Sequence, residues 1–394
     1  MLLRESSVVT DRKLRVLSIA HTAVSRTAGR LRYRPLANHD DIEVHLVVPA
    51  RWKEFGRILE ADPNDDPGIT VHILPILFPD AGPMKWYLHV YRGLAALIEA
   101  IKPDVVHLWE EPWSLVAAQA CLLKERAALV LEVDQNILKR LPPPFETIRR
   151  QVLRRTEHVL SRSRDATRVV RATGYNGPVS PIGYGVDEET FHVGDGIGAS
   201  DVGPPLTLGY VGRLVEEKGV QDAIDAISRA RADVVISVMG QGPYEAHLRQ
   251  KAEALGLSDR FTIRPWDKPE AVGDFLRGLD ALFLLTHTTP AVKEQFGRVI
   301  IEAQSCGVPV IGASSGAIPD VVGPGGWIVP ENDPMALATL IDRIAADPDD
   351  RRAKARAGLE NVRTRFTYAA IAERLADAWK SAARTKQSSG TANP

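Results

Sequence analysis

Short apolar runs alternate with longer stretches whose apolar positions recur at helical spacing along nearly the whole chain. In the first half, residues 14–20 (LRVLSIA), 43–48 (EVHLVV), 105–108 and 129–133 read as buried strands. Between them, residues 86–102 and 114–126 carry the periodicity of helices. The second half repeats the rhythm. Strands are expected at 206–211, 234–239, 261–264, 281–285 and 308–312, with helices at 219–230, 244–254, 299–306 and 335–346. Strand–helix alternation of this kind implies parallel sheets covered by helices on both faces.

The rhythm breaks once. Residues 174–205 are rich in glycine and proline (GYNGPVSPIGYG, then VGDGIGASDVGPP) and hold only short apolar runs. This divides the chain into a first domain at 1–193, a linker at 194–205 and a second domain at 206–365. An amphipathic helix at 366–385 closes the fold, and the polar residues 386–394 are expected to be disordered. The expected fold class is α/β, two Rossmann-like doubly wound domains facing a central cleft. Ligands in such sheets sit beyond the carboxyl ends of the strands.

Composition narrows the setting. A length of 394 residues suits two α/β domains, and 44% hydrophobic with 25% charged residues is ordinary for a soluble protein. A net charge of -1 gives no pull toward nucleic acid. Two distant cysteines, Cys121 and Cys306, exclude a disulfide framework and read as reduced thiols. The opening MLLRESSVVTDRK is too polar for a signal peptide, and runs such as 281–285 fall far short of a membrane span. A cytoplasmic location follows, with peripheral contact at the inner face of a membrane left open.

The densest chemistry lies in residues 293–310, KEQFGRVIIEAQSCGVPV. The segment follows a strand and opens a helix near Gly297, so the amides of Phe296, Gly297 and Arg298 should be helix N-terminal donors for an anionic or hydroxyl-rich ligand. Glu294 and Glu302 flank that opening, and a carboxylate suits paired sugar hydroxyls. Taken alone, glutamates at a helix start also simply complement its dipole.

Glu294-x7-Glu302, within E-Q-F-G-R-V-x-x-E-A-x-x-C-G-V-P-V, resembles the signature of the family 4 retaining glycosyltransferases (glycosyltransferase group 1), which have the GT-B fold. The resemblance extends to SSGAIPDVVG at 314–323, GRLVEEKGV at 212–220 and VMGQGPYEAHL at 238–248. It implies that Arg213 and Lys218, after the turn at Gly212, hold a donor diphosphate. It places Glu302 on the nucleotide ribose, Glu294 near the donor sugar, Gly240 and Gly242 at a turn beside the nucleotide, and Arg264 and Trp266 near the base. A solvated ion pair of Arg213 or Lys218 with Glu216 or Glu217 is the plain alternative, and Trp266 suits packing equally well.

The first half is less distinctive. Where relatives carry a glycine-rich loop, this chain has Gly29 among Arg26, Arg30, Arg32 and Arg34, which suits phosphate contact or a solvated loop. His107 ends the run DVVHL, and the following WEEPWS resembles the family's H-x-H-E-P segment with Trp109 in place of the second histidine. The resemblance makes His107 a catalytic candidate and puts Trp109 and Glu110 at the acceptor pocket. Glu132, Asp134, Gln135 and Asn136 end another strand, where they suit acceptor hydroxyls or, for Asp134, a helix cap. The arginine-rich residues 149–171, if helical, would suit an anionic lipid surface or simply a solvated face.

The expected reaction is transfer of a glycosyl group from a nucleoside diphosphate sugar to a glycan, glycolipid or small-molecule acceptor, with retention. Cell-surface polysaccharide or glycolipid synthesis is the setting by analogy. Metal and cofactor are not expected: the D-x-D at 347–349 follows a late helix, and His39-Asp40 has no partner at ligand spacing. A nucleotide-sugar epimerase of the same architecture and a noncatalytic sugar-binding protein are the competing readings.

Overall fold

A computed structural model describes residues 12–391 apart from 26–28, 55–56, 65, 80–83 and 195–204. The first domain opens with β1 (Leu14–Ile19), β2 (Ile42–Pro49), a small hairpin of β3 (Arg51–Glu54) and β4 (Arg57–Glu60), and β5 (Ile69–Leu74). Then come β6 (Ile76–Leu77), α1 (Lys85–Leu88), β7 (Val90–Tyr91) and α2 (Leu94–Ile101). It closes with β8 (Val105–Trp109), α3 (Leu115–Leu123), β9 (Ala128–Val133), α4 (Phe145–Arg154), β10 (His158–Ser161), α5 (Arg164–Ala172) and β11 (Val179–Pro181). Seven of these strands form one sheet in the order β11-β10-β9-β8-β1-β2-β5, parallel throughout.

The second domain runs β12 (Leu206–Arg213), α6 (Val220–Ile227), β13 (Val234–Gln241), α7 (Glu245–Ala254), β14 (Phe261–Arg264) and α8 (Pro269–Arg277). It continues through β15 (Ala281–Leu284), α9 (Arg298–Ser305), β16 (Val310–Ala313), α10 (Ile318–Val322), β17 (Gly326–Val329), α11 (Pro334–Ala346) and α12 (Pro348–Arg365). Its six strands make a second parallel sheet, β14-β13-β12-β15-β16-β17. Central strands such as β8, β9 and β15 are buried along their whole length, as expected of sheets covered on both faces.

Three differences from expectation have clear causes. The periodic stretch 86–102 is two helices with a short strand between them, because Gly93 takes a left-handed conformation and Tyr91 pairs its backbone with the Gln119 side chain. The last helix, α13 (Tyr368–Thr391), extends into the segment expected to be disordered. Lys386 there reaches Glu157 at 2.9 Å, a tertiary tie that polar composition does not reveal. The arginine-rich stretch is not one helix but α4, β10 and α5. Arg149 is buried against Glu146 and Arg162 is buried in the domain, so no single basic face forms.

The chain also crosses back. Val186 donates to the Phe366 carbonyl at 2.8 Å, and α13 then lays Ile371, Leu375 and Trp379 into the core beneath β1, β2 and β8. The last helix therefore belongs to the first domain's core. Most of the linker lies outside the described residues. No described helix is long and apolar enough to cross a membrane.

Candidate functional site

The carboxyl ends of β12 and β13 lie in register, with Gly212 opposite Gly240 and Arg213 opposite Gln241. A Cβ on Gly240 would lie 2.0 Å from the Gly212 carbonyl oxygen, and one on Gly242 would lie 2.2 Å from that of Leu214. Only glycine permits this approach, which leaves a floor of backbone at the strand ends. Arg213 rises from it exposed. Its guanidinium makes no ion pair among the described residues, so the alternative pairing with Glu216 or Glu217 does not form.

Lys218 is held differently. Gly219, at φ +70°, lets the turn after β12 pack against the end of β15, where an added Cβ would meet the Leu285 carbonyl at 2.1 Å. The His287 amide donates to the Glu217 carbonyl at 2.8 Å, and the His287 ring pairs with Asp222 at 2.7 Å. Lys218 Nζ then donates to Glu294 Oε2 at 2.7 Å, and Thr286 Oγ1 donates to the same oxygen at 2.9 Å. Burial works to raise the Glu294 carboxyl, but Lys218, Thr286 and the Phe296 amide outweigh it and hold it below the usual carboxylate range.

Gly297 caps α9 in a left-handed conformation, φ +79°, where a Cβ would lie 2.8 Å from Leu284. The first amides of α9 thus open beside Glu294, which Lys218 ties to the turn after β12. The Phe296 side chain does not join them. It is buried between Tyr184 and Phe366, with ring centroids at 5.2 and 5.5 Å, and contributes its amide alone. Glu302 lies one turn along α9 from the exposed Arg298, and burial raises its carboxyl. At the far edge of the sheet, Arg264 stacks over Phe275 at 4.2 Å and Trp266 is 42% exposed.

The acceptor side requires corrections. His107 sits mid-strand in β8 and is fully buried. Its Nδ1 meets Ser18 at 2.9 Å and its ring packs on Trp379. Burial, with Arg32 and Arg162 nearby, pushes its pKa well down, so it is a neutral core residue rather than a catalytic one. The reason is topological: a central strand covered by α13 turns its middle residues into the core. Arg30 is likewise structural. It is buried and holds the carbonyls of Ala23, Val24, Asp62 and Asn64. Gly29 is needed for packing, since a Cβ there would lie 2.6 Å from the Thr22 carbonyl oxygen. Arg26 lies outside the described residues.

Trp109 is buried between two guanidiniums, Arg32 at 4.4 Å and Arg162 at 5.0 Å. Both arginines converge on Glu132, which Arg32 grips in a fork at 2.7 and 2.8 Å. Arg162 also reaches Asp134 at 2.8 Å, as Tyr184 does at 3.2 Å, while burial lifts that carboxyl to about 6. Gln135 turns its amide onto the Ile137 carbonyl. Asn136 spans the cleft, donating to the carbonyls of Lys293 and Glu294 at 3.1 and 3.0 Å. It is a tie between the two domains rather than a free hydroxyl reader.

Two neighbouring carboxyls diverge here. Burial would raise Glu110, but His21 and His89 outweigh it and hold it at about 2. Glu111 is raised by burial and by Asp134 to about 8, although its Oε1 accepts the Asp134 and Gln135 amides. Arg32 and Glu132 are candidates by position, whereas sequence spacing shows little of the part that His21, His89, Glu111 and Arg162 play beside them. The one local signal is position: His21 and Glu110–Glu111 directly follow strands.

Comparisons with known proteins agree with this geometry. Residues 200–360 match the family model "Glycosyl transferases group 1", and residues 34–190 match "Glycosyltransferase Family 4". The chain is 28% identical over 312 residues to a 2-deoxystreptamine N-acetyl-D-glucosaminyltransferase of Streptomyces fradiae, covering 71% of this chain and 72% of that one. It is 27% identical over 373 residues to a D-inositol 3-phosphate glycosyltransferase of Stackebrandtia nassauensis, covering 83% and 81%. In structure it is similar to Anabaena HepE in complex with UDP, with a TM-score of 0.66, 17% identity and coverage of 94% and 100%. With both parallel sheets and both halves of the family accounted for, the chain belongs to the family 4 glycosyltransferases of the GT-B fold.

Proposed function

We propose that the second domain holds a nucleoside diphosphate sugar between Arg213, Lys218 and the N-terminus of α9, and that its sugar passes to an acceptor hydroxyl with retention. The observation that carries this is the charge arrangement at the β12, β13 and β15 ends. Arg213, with no ion partner among the described residues, follows the Gly212 turn, Lys218 is bonded to Glu294, and Gly297 opens α9. Arginine grips phosphate oxygens in a fork and lysine adds a point charge. Lys218 keeps further N–H groups for phosphate while bonded to Glu294. These cations and the helix dipole meet the diphosphate charge without a bridging metal. UDP in the HepE structure makes it the first diphosphate to try.

Glu294 then faces the sugar rather than attacking it. A carboxylate that already accepts from a lysine, a threonine and an amide is a poor nucleophile, so a covalent glycosyl intermediate has no evident carrier. The leaving phosphate takes the acceptor proton on the same face of the sugar, and Arg213, Lys218 and the α9 amides stabilise its charge. Glu302 holds the nucleotide ribose. The acceptor lies toward Asp134 and Glu111, beside the buried Trp109, and a glycan, glycolipid or small polyol would suit those carboxyl groups. The test is product analysis by proton NMR after incubation with donor and acceptor. Retention of the anomeric configuration supports this reading, and inversion overturns it.

A further inference from the structure

His21, His89 and Glu110 meet inside the first domain, at the carboxyl ends of β1 and β8. They come from three separate segments: the turn after β1, the junction of α1 with β7, and the residue following β8. One ligand atom from each lies within 4.8 Å of the other two. Glu110 Oε1 shares a short hydrogen bond with His21 Nδ1 and lies 3.5 Å from His89 Nε2. All three are buried, at 7%, 0% and 4% exposure. Trp52 and Trp86 wall the rings, with His21–Trp52 centroids at 4.5 Å, His21–Trp86 at 5.1 Å and Trp52–His89 at 5.1 Å.

A buried carboxylate needs a counter-charge. Among the described residues, no lysine or arginine pairs with Glu110; its ion partners are the two imidazoles, which carry charge only when protonated. His21 Nε2 is itself buried with no hydrogen-bond partner among the described residues. With its Nδ1 as a ligand, Nε2 would carry the proton and face the Trp52 and Trp86 rings, a contact that suits an N–H donor. Two imidazole nitrogens and one carboxylate oxygen are a donor set that zinc favours. Tetrahedral bonds of about 2.1 Å hold ligand atoms about 3.4 Å apart. The His89–Glu110 separation of 3.5 Å already matches, the short His21–Glu110 contact would open, and all three ligand atoms lie within 4.8 Å of one another.

We propose that His21, His89 and Glu110 bind a single divalent transition-metal cation, best suited to Zn²⁺. The ion would fasten the residues after β1 and β8 to the segment before β7, fixing the loops on the acceptor side of the cleft. It lies in the other domain from Lys218 and Glu294, so it does not bear on the diphosphate. The proposal is independent of the glycosyl-transfer reading, because its readout is metal binding.

The experiment strips the full-length chain with a chelator and titrates it with Co²⁺, then displaces Co²⁺ with Zn²⁺. The expected result is one equivalent per chain, with the visible absorption of a four-coordinate nitrogen–oxygen site. His89→Ala and Glu110→Gln should each weaken binding by about 100-fold or more. His39→Ala, at the surface pair with Glu373, should leave it unchanged. Should the cluster variants fail to fold, X-ray absorption of the wild-type complex must show imidazole scattering from two histidines. A wild-type chain that takes up no Co²⁺, a site without imidazole scattering, or undiminished binding in a folded Glu110→Gln variant overturns the proposal. The cluster is then a carboxylate hydrogen-bonded to histidine.

Discussion

Arg213 and Lys218 carry the same charge but answer to different neighbours. Arg213 has no ion partner among the described residues, whereas Lys218 neutralises the mostly buried Glu294. Arg213→Ala should therefore change stability by less than about 0.5 kcal/mol. Lys218→Ala strands a carboxylate and should lose on the order of 1–3 kcal/mol. Urea unfolding of both variants checks the contrast, and equal stabilities would mean the pair contributes nothing. The two glutamates should differ in kinetics. Glu294→Gln removes a charge beside the sugar, where positive character develops, so turnover should fall about tenfold or more. Glu302→Gln loses binding shared by ground and transition states and should raise KM more than it lowers kcat. Steady-state kinetics that reverse these effects would exchange the assigned roles. Glu294 and Glu302 stood out in the sequence because their motif is one contiguous segment. The bond between Lys218 and Glu294 spans 76 residues, so no spacing shows it. His107 misled for the opposite reason. Its local context matched, but α13, arriving from the other end of the chain, covers it.

At the scale of elements, the proposed donor site depends on how the end of β15 is tied to the turn before α6. His287 is one such tie, and its hydrogen bond to Asp222 raises its pKa above 6.5 against the opposing effect of burial. A group raised in the folded state adds stability that is full below the unfolded value and lost as pH rises through the folded one. The stability of wild type over His287→Gln should therefore be largest near about pH 6 and shrink toward about pH 9. Thermal melts across that window measure it, and a difference that is constant or grows with pH contradicts the pairing. The C-terminal helix offers a larger effect. Trp379 is fully buried beneath the first sheet, so Trp379→Ala should destabilise the chain by about 3–5 kcal/mol. A loss within about 0.5 kcal/mol on denaturant unfolding would mean that α13 does not hold the first domain together. Periodicity revealed most central strands, because strands buried on both faces read as plain apolar runs, but it missed the interior strand β10, whose four buried residues sit inside the arginine-rich stretch. The edge strands β5 and β11, partly exposed and mixed in composition, gave no such run. Nor did the sequence show which domain α13 covers, since an amphipathic face does not name its partner.

Across the whole molecule, the cleft is held by a few polar and aromatic ties. Asn136 grips the carbonyls of Lys293 and Glu294, Lys293 pairs with Asp165 at 2.6 Å, and Arg164 pairs with Asp320 at 3.1 Å. Tyr184 packs on Phe296 at the same junction. These contacts set the strand ends around Trp109 and Asp134 against the loop that opens α9, and they join residues that lie far apart in sequence. The two-domain plan was therefore legible from the strand rhythm, whereas the closure was not. The central claim concerns what the second domain binds. It is tested most directly by calorimetric titration of UDP, GDP and ADP into wild type and Arg213→Ala, with and without chelator. At least one diphosphate should bind wild type, with an affinity that chelator leaves unchanged. Arg213→Ala should weaken it by about 2 kcal/mol, roughly 30-fold. Failure of all three to bind, or equal affinity in Arg213→Ala, would contradict the account.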